Sequence, residues 1–402
     1  MGDFFQSGSV ATLPRLAYSG LRVLEERLLE FTKNKPAALI LPCHRQDLKS
    51  DSFRKILSTI STCYFLQKVV VGLDAATRDD YLYAREVLRC LPQKAFLLWN
   101  DGLKVQQFLQ ELKNAGLFTG IPGKGRNFWL CCGYVLTDPT TRILISHDCD
   151  ILTYDRELLV RVLYPVTHPH FGFDFCKGYS ARFSERLHGR LMRLMFTPLI
   201  RAMECVVGYH DFIRYLDSFR YPLAGEVAIN TDFASRTEVA PDWGVEVALL
   251  AEARRLLTQD AICQVEFSER YDHKHQQLLP EDCSRGLAKS AFDVAKCIFY
   301  RAASEGIRFD QSVFDAILTS YQRRSQETIR SFEACADINC LCFDRYEEEV
   351  ATTAFTRSIR LAAKAYLEEP WNSPWLPSWN RVFSAFPSAL TALIDAAEIV
   401  NA

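Results

Sequence analysis

Residues 37–41, Ala-Ala-Leu-Ile-Leu, form an unbroken apolar run closed by Pro42. Consecutive side chains of a strand point to opposite faces, so a run with no polar residue must be covered on both sides. That calls for a parallel sheet sandwiched between helices, not an antiparallel sheet with one wet face. The following segments keep the alternation such a sheet needs: strand over 68–73, helix over 79–90, strand over 95–99 and helix over 105–115. The expected fold class is therefore α/β, Rossmann-like, with a mostly parallel sheet.

On either side of this unit the periodicity changes. Leu13, Leu16, Leu21, Leu24, Leu28 and Phe31 recur at helical spacing before Pro36, so residues 1–36 are expected to form an N-terminal helix. A glycine-rich stretch, 120–125, opens a helix running through 134, which leads to a strand over 142–146. A further strand is expected over 261–267. From residue 184 the pattern turns helical, with Leu187, Leu191, Leu194 and Leu199 in register, and long helices are expected over 284–305, 311–335 and 347–367. Pro370, Pro374 and Pro377 then break the chain. These signals divide it into 1–36, a ligand-binding domain over 37–280, and a helical C-terminal region over 281–402 that is a candidate dimerisation surface. A helical insertion within the first part is equally compatible.

Composition narrows the class of partner. With 402 residues and a net charge of −2, nothing indicates bulk attraction to nucleic acid or to an anionic membrane, so an anionic ligand must be held by a local site. No segment keeps about 18 consecutive apolar residues, as a membrane span requires. Fourteen scattered cysteines without a secretory leader pattern point to reduced thiols and a cytoplasmic location. Cys335, Cys340 and Cys342 lack the partner pair that zinc spacing needs, and Trp371, Trp375 and Trp379 are expected to pack the C-terminal segment.

Chemistry is expected past the strand at 142–146, because ligands of open α/β sheets gather beyond the carboxyl ends of strands. That strand runs into His147-Asp148-Cys149-Asp150. Two carboxylates two residues apart can converge on one hard divalent cation, Mg²⁺ or Mn²⁺, although an isolated pair also serves as an ordinary turn. Gly123-Lys124-Gly125-Arg126 opens a helix upstream, where small residues admit a phosphate and Lys124 supplies charge; it lacks the P-loop spacing. Arg270-Tyr271-Asp272-His273-Lys274-His275 adds an imidazole and phosphate-gripping cations, or else a solvated loop.

Taken in order, Leu41-Pro42, Gly123-Lys124-Gly125, Asp148-Cys149-Asp150, Pro222-Leu223-Ala224-Gly225-Glu226, Asp242-Trp243-Gly244-Val245-Glu246 and the basic segment ending at His273 resemble one family over residues 37–300. These are the glucosyl-3-phosphoglycerate synthases and their mannosylglycerate-forming relatives, retaining glycosyltransferases of the GT-A fold. The resemblance implies that Pro42, Asp47, Asp74, Lys124, Asp148 and Arg270 bind the nucleotide-sugar, with Arg270 on its diphosphate. It implies Asp150 and His273 as metal ligands, with His275 an alternative because this segment carries one residue more than the family pattern. Asp148 joins the ribose and the metal shell; Glu226 and Glu246 face the sugar or acceptor, completing a catalytic set with Asp148, Asp150 and Arg270.

Gly189, Arg190 and Lys177 would hold the acceptor, 3-phosphoglycerate or glycerate, with Arg190 on the phosphate. Two positions depart from the pattern: Ala224 replaces a glycine and Met192 replaces a hydroxyl-bearing residue. The implied reaction moves glucose from UDP-, ADP- or GDP-glucose to 3-phosphoglycerate, for synthesis of a compatible solute, in a homodimeric enzyme. Retention by front-face attack is favoured over a carboxylate adduct, so Glu226 and Glu246 orient hydroxyls. Mannosyl transfer, a non-catalytic nucleotide-sugar-binding protein and a metal-dependent phosphodiesterase are the alternatives.

Overall fold

The computed structural model describes residues 8–16, 20–274, 277–279, 282–372 and 375–401. Among the described residues nine strands form one sheet: β1 (Ala11–Leu13), β2 (Ala37–His44), β3 (Leu66–Asp74), β4 (Lys94–Trp99), β5 (Ile143–Ser146), β6 (Phe175–Arg182), β7 (Val227–Asn230), β8 (Ile262–Tyr271) and β9 (Ala397–Ile399). Their order is β1-β8-β6-β7-β5-β2-β3-β4-β9. β5, β2, β3 and β4 run parallel, as do β1, β8 and β6; β7 is antiparallel to both its neighbours, and β9 to β4.

The unbroken apolar runs are explained by two cores. Ala38, Ile40, Val70, Phe96 and Leu98 point into one, while Ala37, Leu39, Leu41, Val69, Val71, Ala95 and Leu97 point into the other. Successive residues of one strand thus enter opposite layers, as the pleat requires. Helices Leu21–Asn34, Asp51–Ile60, Arg78–Leu88 and Arg156–Thr167 bury apolar residues in the second layer. Helices Leu103–Asn114 and Lys124–Leu136, with the long helices Gly286–Ser304, Gln311–Ile338 and Arg345–Glu368, pack in the first.

The N-terminal expectation is corrected in one respect. Leu13 does not belong to a helix; residues 11–13 pair with β8, and the helix begins at Leu21. β-pairing to a distant strand overrides the local leucine spacing there.

At the other end of the chain, β9 lies on the outer edge of β4, where the Asn401 carboxamide accepts from the Ala95 N–H at 2.9 Å and donates to the carbonyls of Leu91 and Gln93. Trp379, almost fully buried, stacks on Trp129 with ring centroids 4.3 Å apart, and their indole N–H groups donate to the carbonyls of Trp129 and Pro377 respectively. Room for that indole exists because residue 133 is glycine; a Cβ there would lie 2.1 Å from the Trp379 ring. Trp375 stacks on Arg301 while Trp371 is exposed, so the three tryptophans do not form one platform.

Candidate functional site

The carboxyl ends of β2, β3 and β5 lie side by side. In the register of β2 and β3, Pro42 stands beside Gly72 and His44 beside Asp74, so Pro42 and Asp74 share this end. Gly72 is what lets the next helix approach: a Cβ there would come within 2.0 Å of Asn127 Oδ1, and Asn127 Nδ2 donates to the Gly72 carbonyl at 2.8 Å. Helix Lys124–Leu136 is thereby seated against β3. Its first turn is fixed from the other side, where Gly125 faces the Ala240 carbonyl at a distance no side chain would tolerate and the Arg126 N–H donates to Pro241.

Lys124 thus projects toward the acidic pair. Its Nζ lies 2.8 Å from Asp148 Oδ1 and 2.7 Å from Glu246 Oε1, with the Trp243 ring 5.5 Å away. Burial disfavours the ammonium, but the two carboxylates outweigh it and Lys124 stays charged well above the usual lysine range. Gly225 lies directly against Asp148: a Cβ at this position would sit 2.4 Å from both carboxylate oxygens. That makes Gly225, in the Ala224-Gly225-Glu226 segment, sterically required here.

Charge at this end of the sheet is unevenly balanced. Burial pushes the Asp148 carboxyl up, yet Lys124, Arg182 and His273 hold it below the ordinary carboxylate range. Asp150 is pushed up to about 7 by burial and by Asp148, with Asp47 and Glu226 adding to the repulsion that Lys124 partly offsets. Glu226 is fully buried and also raised, by burial and by Asp148. Tyr271 donates to one of its oxygens at 2.8 Å and Arg182 stands 3.7 Å from the other.

Arg182, at the end of β6, escaped the sequence reading. Its guanidinium is sandwiched between Tyr221 and Tyr271, 3.9 and 4.1 Å from the ring centroids, which holds a buried cation in place beside Glu226. The only signal for it was an arginine closing a segment, 175–182, whose lysine, glycine and serine hid its strand character. Lys177 on the same strand is almost completely buried and its ammonium donates to the Ala224 carbonyl; burial pushes it down to about 8.

β8 brings in the basic segment. An antiparallel bridge pairs Ile151 with His273, and the Lys274 N–H donates to the Asp150 carbonyl at 3.2 Å, so residues 150 and 273 lie on neighbouring backbones. His273 Nδ1 is 2.8 Å from the Lys274 carbonyl, which can only accept, so Nδ1 carries a proton. Lys274 Nζ meets Asp47 Oδ1 at 3.0 Å, linking this segment to the one after β2. Arg270 is exposed and donates to the Phe183 carbonyl at 3.1 Å. His275 lies outside the described residues.

Not every expected residue touches the acidic pair. Asp74 is buried and raised by burial and by Asp101, with Asn100 as its hydrogen-bond partner at 3.4 Å. Gly189 adopts φ 71° and packs over the Tyr221 hydroxyl, while Arg190 is held by Glu347 and Glu348 of helix Arg345–Glu368. Among the described residues no three His, Cys, Asp or Glu side chains are gathered closely enough to hold an ion. Asp148, Asp150 and His273 share one end of the sheet, but Lys124 occupies the Asp148 carboxylate. The carboxylates of Asp148 and Asp150, with Asp47 nearby and the His273 imidazole on the neighbouring backbone, are the donor types that a hard divalent cation takes.

No protein-family model matches the chain. A glucosyl-3-phosphoglycerate synthase of Persephonella marina is 38% identical over 401 residues, covering 100% of this chain and 99% of that protein. The chain belongs to the glucosyl-3-phosphoglycerate synthase family. A second member, from Methanococcoides burtonii, is 34% identical over 379 residues, 93% of this chain and 92% of its own length. The synthase of Mycobacterium tuberculosis, solved in complex with Mn²⁺, UDP-glucose and phosphoglyceric acid, is 19% identical and matches with a TM-score of 0.54 over 76% of this chain and 90% of that one. Its complex with Mg²⁺ and UDP matches at 0.53 over 75% and 88%. These likenesses establish the GT-A fold for this synthase-family chain, as the motif order implied.

Proposed function

We propose that this chain transfers glucose, with retention, from a nucleoside-diphosphate glucose to the hydroxyl of 3-phosphoglycerate. The observation that carries the proposal is the placement of Asp148, Asp47 and Glu226 around the buried Asp150 past the end of β5, on a chain 38% identical over its whole length to a synthase of that name. Asp150 and His273 would hold Mg²⁺ or Mn²⁺, which when bound supplies positive charge to the departing diphosphate. Pro42, Asp47 and Asp74 would line the nucleotide side, and Arg270 would turn from the Phe183 carbonyl to the diphosphate.

Lys124 then has a defined task. Bridging Asp148 and Glu246, it fixes both carboxylates before substrate arrives, so they need not reorganise as charge moves. Arg182 does the same for Glu226, which is left to accept from sugar or acceptor hydroxyls. Lys177 ties down the Ala224-Gly225-Glu226 turn from below. Arg190, with Gly189, would receive the acceptor's phosphate. The contact series Gly189, Tyr221, Arg182, Glu226 supports this by joining that segment to Glu226.

The fourteen free thiols support a reducing, cytoplasmic setting, and the exposed Ile338 at the end of helix Gln311–Ile338 supports a homodimer contact there. The test is initial-rate assay of UDP-, ADP- and GDP-glucose, and the matching mannose donors, against 3-phosphoglycerate and glycerate with Mn²⁺ or Mg²⁺. Glucosyl transfer to 3-phosphoglycerate is expected. Mannosyl transfer in its place, or donor hydrolysis independent of acceptor, would overturn the assignment.

A further inference from the structure

Arg190 faces two glutamates that differ in kind. Glu348 is buried, accepts from Arg193 Nη1 at 2.7 Å and from Arg190 Nε at 2.9 Å, and so sets the orientation of both guanidinium groups. Glu347, 46% exposed, takes the outer edge: it pairs with Arg190 Nη2 and lies 3.6 Å from Arg186 Nη1. That outer edge opens on a cavity of about 340 Å³ lined by Arg190, Gln277, Leu278, Tyr346, Glu347 and Val350. Three arginines thus meet two carboxylates at the mouth of a cavity, and only one of those carboxylates is accessible to water.

We propose that Glu347 is an exchangeable internal anion, displaced from Arg190 and Arg186 by the acceptor's phosphate, and that it thereby sets the affinity for the acceptor. The inference rests on the assignment of Arg190 to the acceptor made above. A phosphate dianion suits the exchange, because it offers three acceptor oxygens to the same guanidinium edge. Displacement of Glu347 is inexpensive: its side chain is already half in water, and it stays in the first turn of helix Arg345–Glu368, where the helix dipole favours negative charge. Glu348 meanwhile keeps Arg190 aimed at the cavity, so the guanidinium does not have to be reoriented.

The test compares acceptor KM for the wild type with Glu347→Gln, Glu347→Asp and Arg190→Ala, all checked for unchanged melting temperature, with donor KM as internal reference. Glu347→Gln is expected to lower the KM for 3-phosphoglycerate by about two- to fivefold, the range an exposed ion pair commands, and Glu347→Asp to stay near wild type. Arg190→Ala is expected to raise it. Should Arg190→Ala leave acceptor KM unmoved, the acceptor assignment fails and takes the inference with it. Should Arg190→Ala raise KM while Glu347→Gln leaves it unchanged or raises it, the inference alone fails. Equal decreases in Glu347→Gln and Glu347→Asp would show a steric effect and overturn it as well.

Discussion

Replacing Lys124 with methionine removes one ammonium from between two carboxylates and leaves a side chain of similar length. In the wild type that ammonium is 2.8 Å from Asp148 and 2.7 Å from Glu246, and the three side chains are 18%, 26% and 7% exposed. Breaking a buried pair from one side costs about 3–5 kcal/mol, because the remaining charge is stranded. With Lys124 partly open to water, the expected loss at pH 7 is about 3 kcal/mol, the lower end of that range.

The sign of the pH dependence follows from Asp148. Its carboxyl is held low in the fold, so it adds stability above its unfolded value, near ~3.9, and loses that contribution as pH falls through the folded value. Without Lys124 the carboxyl moves up, and the resulting penalty is present at neutral pH and fades as the group takes up its proton. The stability gap between wild type and Lys124→Met should therefore be widest near pH 7 and narrow toward pH 4. Urea unfolding at several pH values measures it, and the double variant Lys124→Met/Glu246→Gln should recover part of the loss. A gap below about 1 kcal/mol at pH 7, or one of equal size at pH 4.5 and 7, would refute the electrostatic account.

Gly225→Ala should push the Asp148 carboxylate out of place, given the 2.4 Å approach of a Cβ, and lower kcat/KM by about a hundredfold while the far-ultraviolet spectrum stays native. Lys177 is pushed down to about 8, so the unfolded chain binds more protons between about 8 and the usual lysine value of ~10.4; stability should climb across that window by up to about 1.4 kcal/mol per pH unit, and Lys177→Met should lack the climb in parallel denaturation series. Trp379→Ala empties a site packed against Trp129 and Gly133 and should cost about 3–5 kcal/mol, read by thermal or urea unfolding; a smaller loss would mean the C-terminal segment is not part of the core. Chelation of divalent ions should abolish transfer, Mn²⁺ or Mg²⁺ should restore it, and Asp150→Asn should raise the metal concentration needed; undiminished turnover in a chelator would remove the metal from the reaction.

Strands β2 to β5 and the helices that follow β3 and β4 were legible because each is an unbroken apolar or strongly amphipathic run, whereas helix Asp51–Ile60, between β2 and β3, was not read from the sequence. Asp148 and Asp150 were legible for the same reason, as the first carboxylates after one of those runs. β6 was not, since its burial of Lys177 and its exit at Arg182 depend on partners forty residues away: Ala224, Tyr221 and Glu226. β1, β7 and β9 are three or four residues long and carry no period of their own, so only the pairing neighbour defines them. The pairing of Lys124 with Glu246 and of Arg190 with Glu347 was likewise hidden, because sequence order says nothing about which of many carboxylates lies opposite a given cation.

The edge of β4 is fastened by residues 397–401, some three hundred positions downstream. On a ribosome, that strand emerges with its outer backbone groups bare and stays so while all the intervening helices are made. An unpaired edge is an invitation to other nascent chains. Fusion or trimming at this end, at a distance from every reacting group, should therefore change the yield of soluble protein before it changes any rate constant.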